Sequence, residues 1–173
     1  MSQQTQNLMK KISIAKIVLN MGIGKSGEPI EIGKKALEQI TGKKPNARNA
    51  KKSQRDWGVR KGEPIGIAVT VRGDDATKLL KKLFVAKDNQ IKESVFDDEG
   101  NLSFGIKEHI DIPEIKYDPK IGILGLEVSI ALTRPGFNIR HRSLHKAKIG
   151  KNHRIRKNDA IKFLTEEFGV KIV

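Results

Sequence analysis

The chain of 173 residues reads as one α+β domain, a largely antiparallel sheet with helices packed on one face and long basic loops. Three observations predict this. Residues 65–72 and 126–133 alternate apolar with small or polar side chains, as half-buried strands do. Three other stretches carry apolar residues at helical spacing. Strands and helices mix without the steady βαβ repeat of a parallel sheet, and the length suits a single core.

In chain order, ISIAKIVLNM at 12–21 is β-branched enough for a buried strand, ended by the glycines of GIGKSG. A helix follows, with Pro29 in its first turn, Ile32, Ala36, Leu37 and Ile40 in its stripe and Gly42 at its C-terminus. Residues 43–64 are polar, basic and rich in Gly and Pro, which predicts a short strand and a long exposed loop. In 65–72, Ile65, Ile67, Val69 and Val71 share the core face. Gly66, Ala68, Thr70 and Arg72 share the other, a surface smooth enough for a bulky backbone to approach or simply to be solvated. Asp74 is the expected N-cap of a helix whose stripe is Ala76, Leu79, Leu80, Leu83 and Phe84. Residues 91–96 and 102–106 flank DDEGN as a hairpin would, and HIDIPEIKYDPKIG is irregular. In 126–133, Leu126, Val128, Ile130 and Leu132 point inward from a second central strand. Asn158 is the expected cap of a last helix carrying Ile161, Leu164 and Phe168, stopped by Gly169 before VKIV.

Charge narrows the function. The chain carries +14, with a pI near 10.0. Residues 43–61 hold eight Lys or Arg against Asp56, and residues 134–157 hold nine with no acid, so the rest of the chain is slightly negative. Two concentrated cationic segments beside a near-neutral body are what phosphate binding by counterion release requires. No stretch reaches the roughly 18 apolar residues of a bilayer span, and the polar start MSQQTQNLMKK lacks the apolar core of a signal peptide, so a cytoplasmic location is expected. Zero cysteines exclude disulfides and thiolate sites.

No constellation points to catalysis. GIGKSG lies between strand and helix, where backbone amides cradle phosphate, but a tight turn explains it as well. His141, His145 and His153 sit among cations that oppose a metal, and no acid or cysteine joins them, so neither metal nor cofactor is expected. Asp97, Asp98 and Glu99 lack the spacing of a calcium loop. Trp57, in RDWGVRK, would either stack on a base or fold back to anchor its loop.

From KIVLNMGIG through ITGKKP and KKSQRDWGVRKGEPIGIAVTVRG to GNLSFGIKEHIDIPEI and LGLEVSIALTRPG, the chain resembles the large-subunit ribosomal protein five family, the universal 5S rRNA binders. RPGFNIRHRSLHKAKIGKNHRIRKNDAIKFL resembles its archaeal and eukaryotic members. The resemblance implies a non-enzymatic protein, monomeric within the large ribosomal subunit, that binds 5S rRNA and helps join it to 23S rRNA in the central protuberance. It implies 5S contacts at Asn20, Thr70, Trp57 and Lys43, the last in place of a bacterial Gln; Arg72 joins them from the smooth strand face. The loop around 48–58, with Arg48, Lys51, Lys52 and Arg55, corresponds to the segment near peptidyl-site tRNA, and an intersubunit contact to a small-subunit head protein is implied. Arg134, Arg140, Arg142, Lys146, Lys148, Lys151, Arg154 and Arg156 are suited to ribosomal RNA phosphates. The alternative is a generic nucleic-acid-compacting protein, which needs a groove-reading element or dimer seam that the sequence lacks. A membrane-surface helix in 134–157 is broken by Pro135, Gly136 and Gly150.

Overall fold

The computed structural model describes residues 7–115 and 117–173; the first six residues of the polar start, and Lys116 in the irregular segment, lie outside them. The main sheet has five strands, β1 (Ser13–Gly22), β2 (Asn46–Asn49), β3 (Pro64–Val71), β5 (Leu102–Ile106) and β6 (Leu126–Thr133), while β4 (Gln90–Ile91) and β7 (Lys171–Ile172) form a separate pair. The five lie in the order β2-β3-β1-β6-β5, every neighbouring pair antiparallel. Period-two patterning sends Ile17, Leu19 and Met21 of β1, Ile67, Val69 and Val71 of β3, and Val128, Ile130 and Leu132 of β6 to one face, all buried.

The helices cover that face. The first, α1 (Glu28–Thr41), begins with Pro29, ends on Gly42 in the left-handed conformation and packs on β3. Its Gly33 is a packing requirement: a Cβ there would lie 2.6 Å from Ile23 Cδ1 and 2.8 Å from Ile67 Cδ1. The second, α2 (Asp74–Val85), buries all five residues of its expected stripe. A short helix, α3 (Asn138–His141), follows β6, and α4 (Lys157–Phe168) closes the helical layer. Phe84 stacks on Phe104 at 5.9 Å and meets Phe168 of α4 edge-on at 5.6 Å, joining the helices to the sheet.

Four local expectations change. The helix boundaries shift by one or two residues: Gly73, not Asp74, precedes α2, and Arg156, not Asn158, precedes α4, where the Asp159 carboxylate accepts the Arg156 N–H at 3.4 Å. The 91–96/102–106 hairpin reduces to one bridge, Phe96 to Leu102. DDEGN still turns, with Asp97 N–H donating to Asn101 O at 2.9 Å, but residues 93–95 form a 3-10 turn and β4 pairs in parallel with β7 from the C-terminal end. A strand forms where it finds a partner, and VKIV, brought alongside by α4, claims Gln90 and Ile91. The basic stretch after α1 is better built than a plain loop, since Gln54 and Val59 exchange hydrogen bonds at 2.8 and 3.1 Å around a 3-10 turn at Arg55–Trp57.

Candidate nucleic-acid interface

The face of the sheet opposite the helices is made of small and polar residues. The strand register aligns one row across it, Asn46, Ala68, Asn20, Glu127 and Gly105, and beside it a second, Thr70, Val18, Ser129 and Ser103. No side chain longer than Glu stands in either row, so a polymer backbone can approach the sheet closely. Asn20 and Thr70 are both half-exposed. The Asn20 amide donates to Glu127 Oε2 at 3.4 Å, which turns its own carbonyl oxygen away from that carboxylate. Among the described residues the Thr70 hydroxyl forms no hydrogen bond within the protein and can donate or accept. With Glu127 exposed between them, the middle of the face suits hydrogen-bond donors such as ribose hydroxyls and base amino groups better than phosphate.

Cations stand around this patch. Arg72 and Lys16 are exposed at one end of the face, and Arg48, opposite Gly66, is exposed at the other. Beyond Arg48 the basic loop extends into solvent, with Lys51, Lys52 and Arg55 exposed and Trp57 78% accessible. Of the two readings of Trp57, the structure gives the outward-facing ring. Lys43 is half-buried and its ammonium sits 2.8 Å from Asp75. The hydrogen bond from Lys43, and then its charge, hold the Asp75 carboxyl below the usual carboxylate value. The GIGKSG segment is a turn: Ile23 and Gly24 N–H both donate to Ile65 O, at 3.0 and 2.8 Å, and are not offered to phosphate.

Residues 134–157 pack back against the sheet. After β6 the chain passes through α3, then irregular backbone and a 3-10 turn at Lys151–His153. Arg134, expected to face phosphate, is instead 9% exposed. Its guanidinium donates to His153 O at 3.4 Å, Arg154 O at 3.2 Å and Asp159 Oδ2 at 3.0 Å, tying both ends of the basic segment together. Its Nε is buried without a partner. Sequence alone could not separate this arginine from its neighbours, because its burial follows from where α4 lands. The other named cations, Arg140, Arg142, Lys146, Lys148, Lys151, Arg154 and Arg156, are exposed. Arg140 is held by Glu99 at 2.8 Å, Arg142 donates to His145 O at 2.9 and 2.6 Å, and Arg154 donates to Ile149 O at 3.2 Å. Between this segment and the sheet lies a groove of 870 Å³ that Lys16, Arg72 and Ala131 help to line. Lys16, Asn46, Glu99 and Glu127 are site residues that motif reading missed; strict alternation along 13–22 and 126–133 already puts Lys16 and Glu127 on the open side.

Fold and surface define a class: an α+β protein with a bare, smooth sheet face between two cationic segments, built to bind a folded polyanion. Among the described residues there is no cluster of metal-ligating side chains, and no helix is long and apolar enough to cross a membrane. Comparison with known sequences makes the class specific. The profile of the C-terminus of the ribosomal L5 family matches residues 64–163, and that of ribosomal protein L5 matches residues 7–60. A protein named large ribosomal subunit protein uL5 from Nitrosopumilus maritimus is 64% identical over 172 residues, covering 99% of both chains. Proteins of that name from Cenarchaeum symbiosum and Pyrobaculum aerophilum are 60% identical over 95% of this chain and 98% of theirs, and 45% over 95% and 92%. The chain belongs to the ribosomal protein L5 family, in its archaeal form. It is a ribosomal structural protein and not an enzyme.

Proposed function

We propose that the whole chain, residues 1–173, works as one RNA-binding domain of the cytoplasmic large ribosomal subunit, gripping 5S rRNA and helping to attach it to 23S rRNA in the central protuberance. The observation that carries this reading is the bare sheet face, with Asn20 and Thr70 half-exposed on it and cations at both of its ends. Asn20, Thr70 and Arg72 supply 5S contacts there, and Trp57 offers an exposed ring for stacking. Lys43 contributes to the same contact while its ammonium bridges to Asp75, and the partner it meets on RNA exchanges with that carboxylate. Arg48, Lys51, Lys52 and Arg55, on a loop extending away from the sheet, suit the approach to peptidyl-site tRNA; the same protein makes an intersubunit contact to a small-subunit head protein. Arg140, Arg142, Lys146, Lys148, Lys151, Arg154 and Arg156 meet ribosomal RNA phosphates. Arg134 holds that segment in place from inside.

Titration of 5S rRNA and of an unrelated hairpin across salt tests the reading. Roughly 6–10 phosphate contacts should lower affinity by about 10³–10⁵ between about 50 and 200 mM salt, with 5S rRNA bound much more tightly than the hairpin. Asn20→Ala and Thr70→Ala should each weaken 5S binding by about 1 kcal/mol without unfolding the domain, whereas Lys51→Ala with Lys52→Ala should largely spare it. Equal affinity for the two RNAs would reduce the protein to a generic polyanion binder.

A further inference from the structure

The groove between the open sheet and the C-terminal basic segment differs chemically from the face beside it. Its rim carries Lys16, Arg72, Arg140, Lys146, Lys148 and Arg154 against a single acid, Glu99. That acid holds Arg140 at 2.8 Å and so fixes one of the cations in position. Its floor is apolar, formed by Ala131 of β6, Phe137, Ile149 and Ile155. Ile155 is fixed from below, since it packs so tightly on the 97–101 turn that a Cβ at Gly100 would lie 2.6 Å from its Cγ2. Phe137 is braced edge-on by His153 at 5.6 Å. At 870 Å³ the groove falls in the range of about 300–1,000 Å³ typical of sites that enclose a small molecule.

A ridge of cations is sufficient for an A-form duplex, whose bases are stacked inside and whose phosphates face outward. A trough with an apolar floor would be left unfilled by such a duplex. An unpaired strand fills it, placing a flat base against alanine and phenylalanine while the phosphates on either side meet the rim. We propose that this groove is a receptor for an extruded nucleotide, taking one unstacked base from a bulge or single-stranded segment of RNA. The inference rests on the RNA-binding reading above and gives that reading's C-terminal segment a ligand class, unpaired RNA instead of duplex backbone.

Anisotropy titration of the full chain at fixed salt, with an RNA hairpin carrying a short adenine bulge and the same hairpin without it, tests the assignment. The bulged hairpin is expected to bind about tenfold tighter. Ala131→Leu, which fills the floor from a half-exposed strand position and leaves every charge in place, should abolish the preference; Ala147→Leu, on the exposed rim, is the second variant in case the first perturbs the sheet. Lys146→Ala with Lys148→Ala should weaken both hairpins and lower the salt slope by about two. Photo-crosslinking of 4-thiouridine placed in the bulge should label the peptide 137–155. Equal affinity for the two hairpins, a preference that survives both filling variants, or crosslinks confined to β1 and β3 would overturn the proposal. Titration of 5S rRNA in parallel separates the two levels. Selective 5S binding with no bulge preference sinks the groove alone, and a bulge preference without 5S selectivity sinks the 5S reading alone.

Discussion

The two cationic segments, 43–61 and 134–157, are similar in composition and opposite in construction. In the first, backbone hydrogen bonds make a small ribbon, Gln54 to Val59 and Gly62 to Ala50, while Lys51, Lys52, Arg55 and Trp57 extend outward. In the second, arginine forks fasten the segment to itself and to the body: Arg134 to two carbonyls and Asp159, Arg142 to His145, Arg154 to Ile149, Arg140 to Glu99. Equal charge density thus yields an outreaching arm in one place and a shaped platform in the other. Lysine heads stay solvated and mobile, whereas planar guanidinium forks are suited to fixed carbonyl and carboxylate partners.

Stability should separate the two most sharply. Arg134→Met leaves two carbonyls and Asp159 without their donor and should cost about 2 kcal/mol in urea unfolding. Arg134→Lys should recover little of it, because one ammonium cannot reproduce the fork. Arg55→Ala, by contrast, should stay within about 0.5 kcal/mol of the parent. If Arg134→Met were equally silent, the platform would be no better fixed than the arm.

Fluorescence sharpens the contrast from the other side. Trp57 is the sole tryptophan and is already 78% exposed, so its emission should sit near that of water-exposed indole and change little on urea unfolding, while circular dichroism records the transition. A large red shift on unfolding would mean that the ring folds back in solution.

The smallest effect concerns Lys43 and Asp75, which brace the start of the arm. Because the folded carboxyl sits below its ordinary value of 3.8, the pair stabilises the fold above that value and the contribution disappears as pH falls through the folded pKa. NMR titration should find the Asp75 midpoint lowered, returning toward 3.8 in Lys43→Ala and in high salt. An unchanged midpoint in Lys43→Ala would remove the brace.

Local pattern made much of this molecule legible. Alternation in 65–72 and 126–133 named the core residues of two strands, and the 74–85 stripe emerged buried without exception, because period and burial are coupled wherever one face of an element is packed. Asn20 and Thr70 were also legible, as polar residues in otherwise apolar strands. The 91–96 strand failed for the complementary reason: its partner is chosen by tertiary placement, and residues 171–172 arrived there instead of 102–106.

The amino-acid order by itself determined the helix stripes, the strand faces and the gathering of positive charge into two segments, since each depends on neighbours within a few positions along the chain. Only the folded structure decided that Arg134 is buried while Arg140 is not, that Asn20 meets Glu127, and that Lys16, Arg72 and residues 137–155 enclose one groove. Those relations join positions far apart in the chain, and they exist only once α4 has docked and drawn the basic segment across the edge of the sheet.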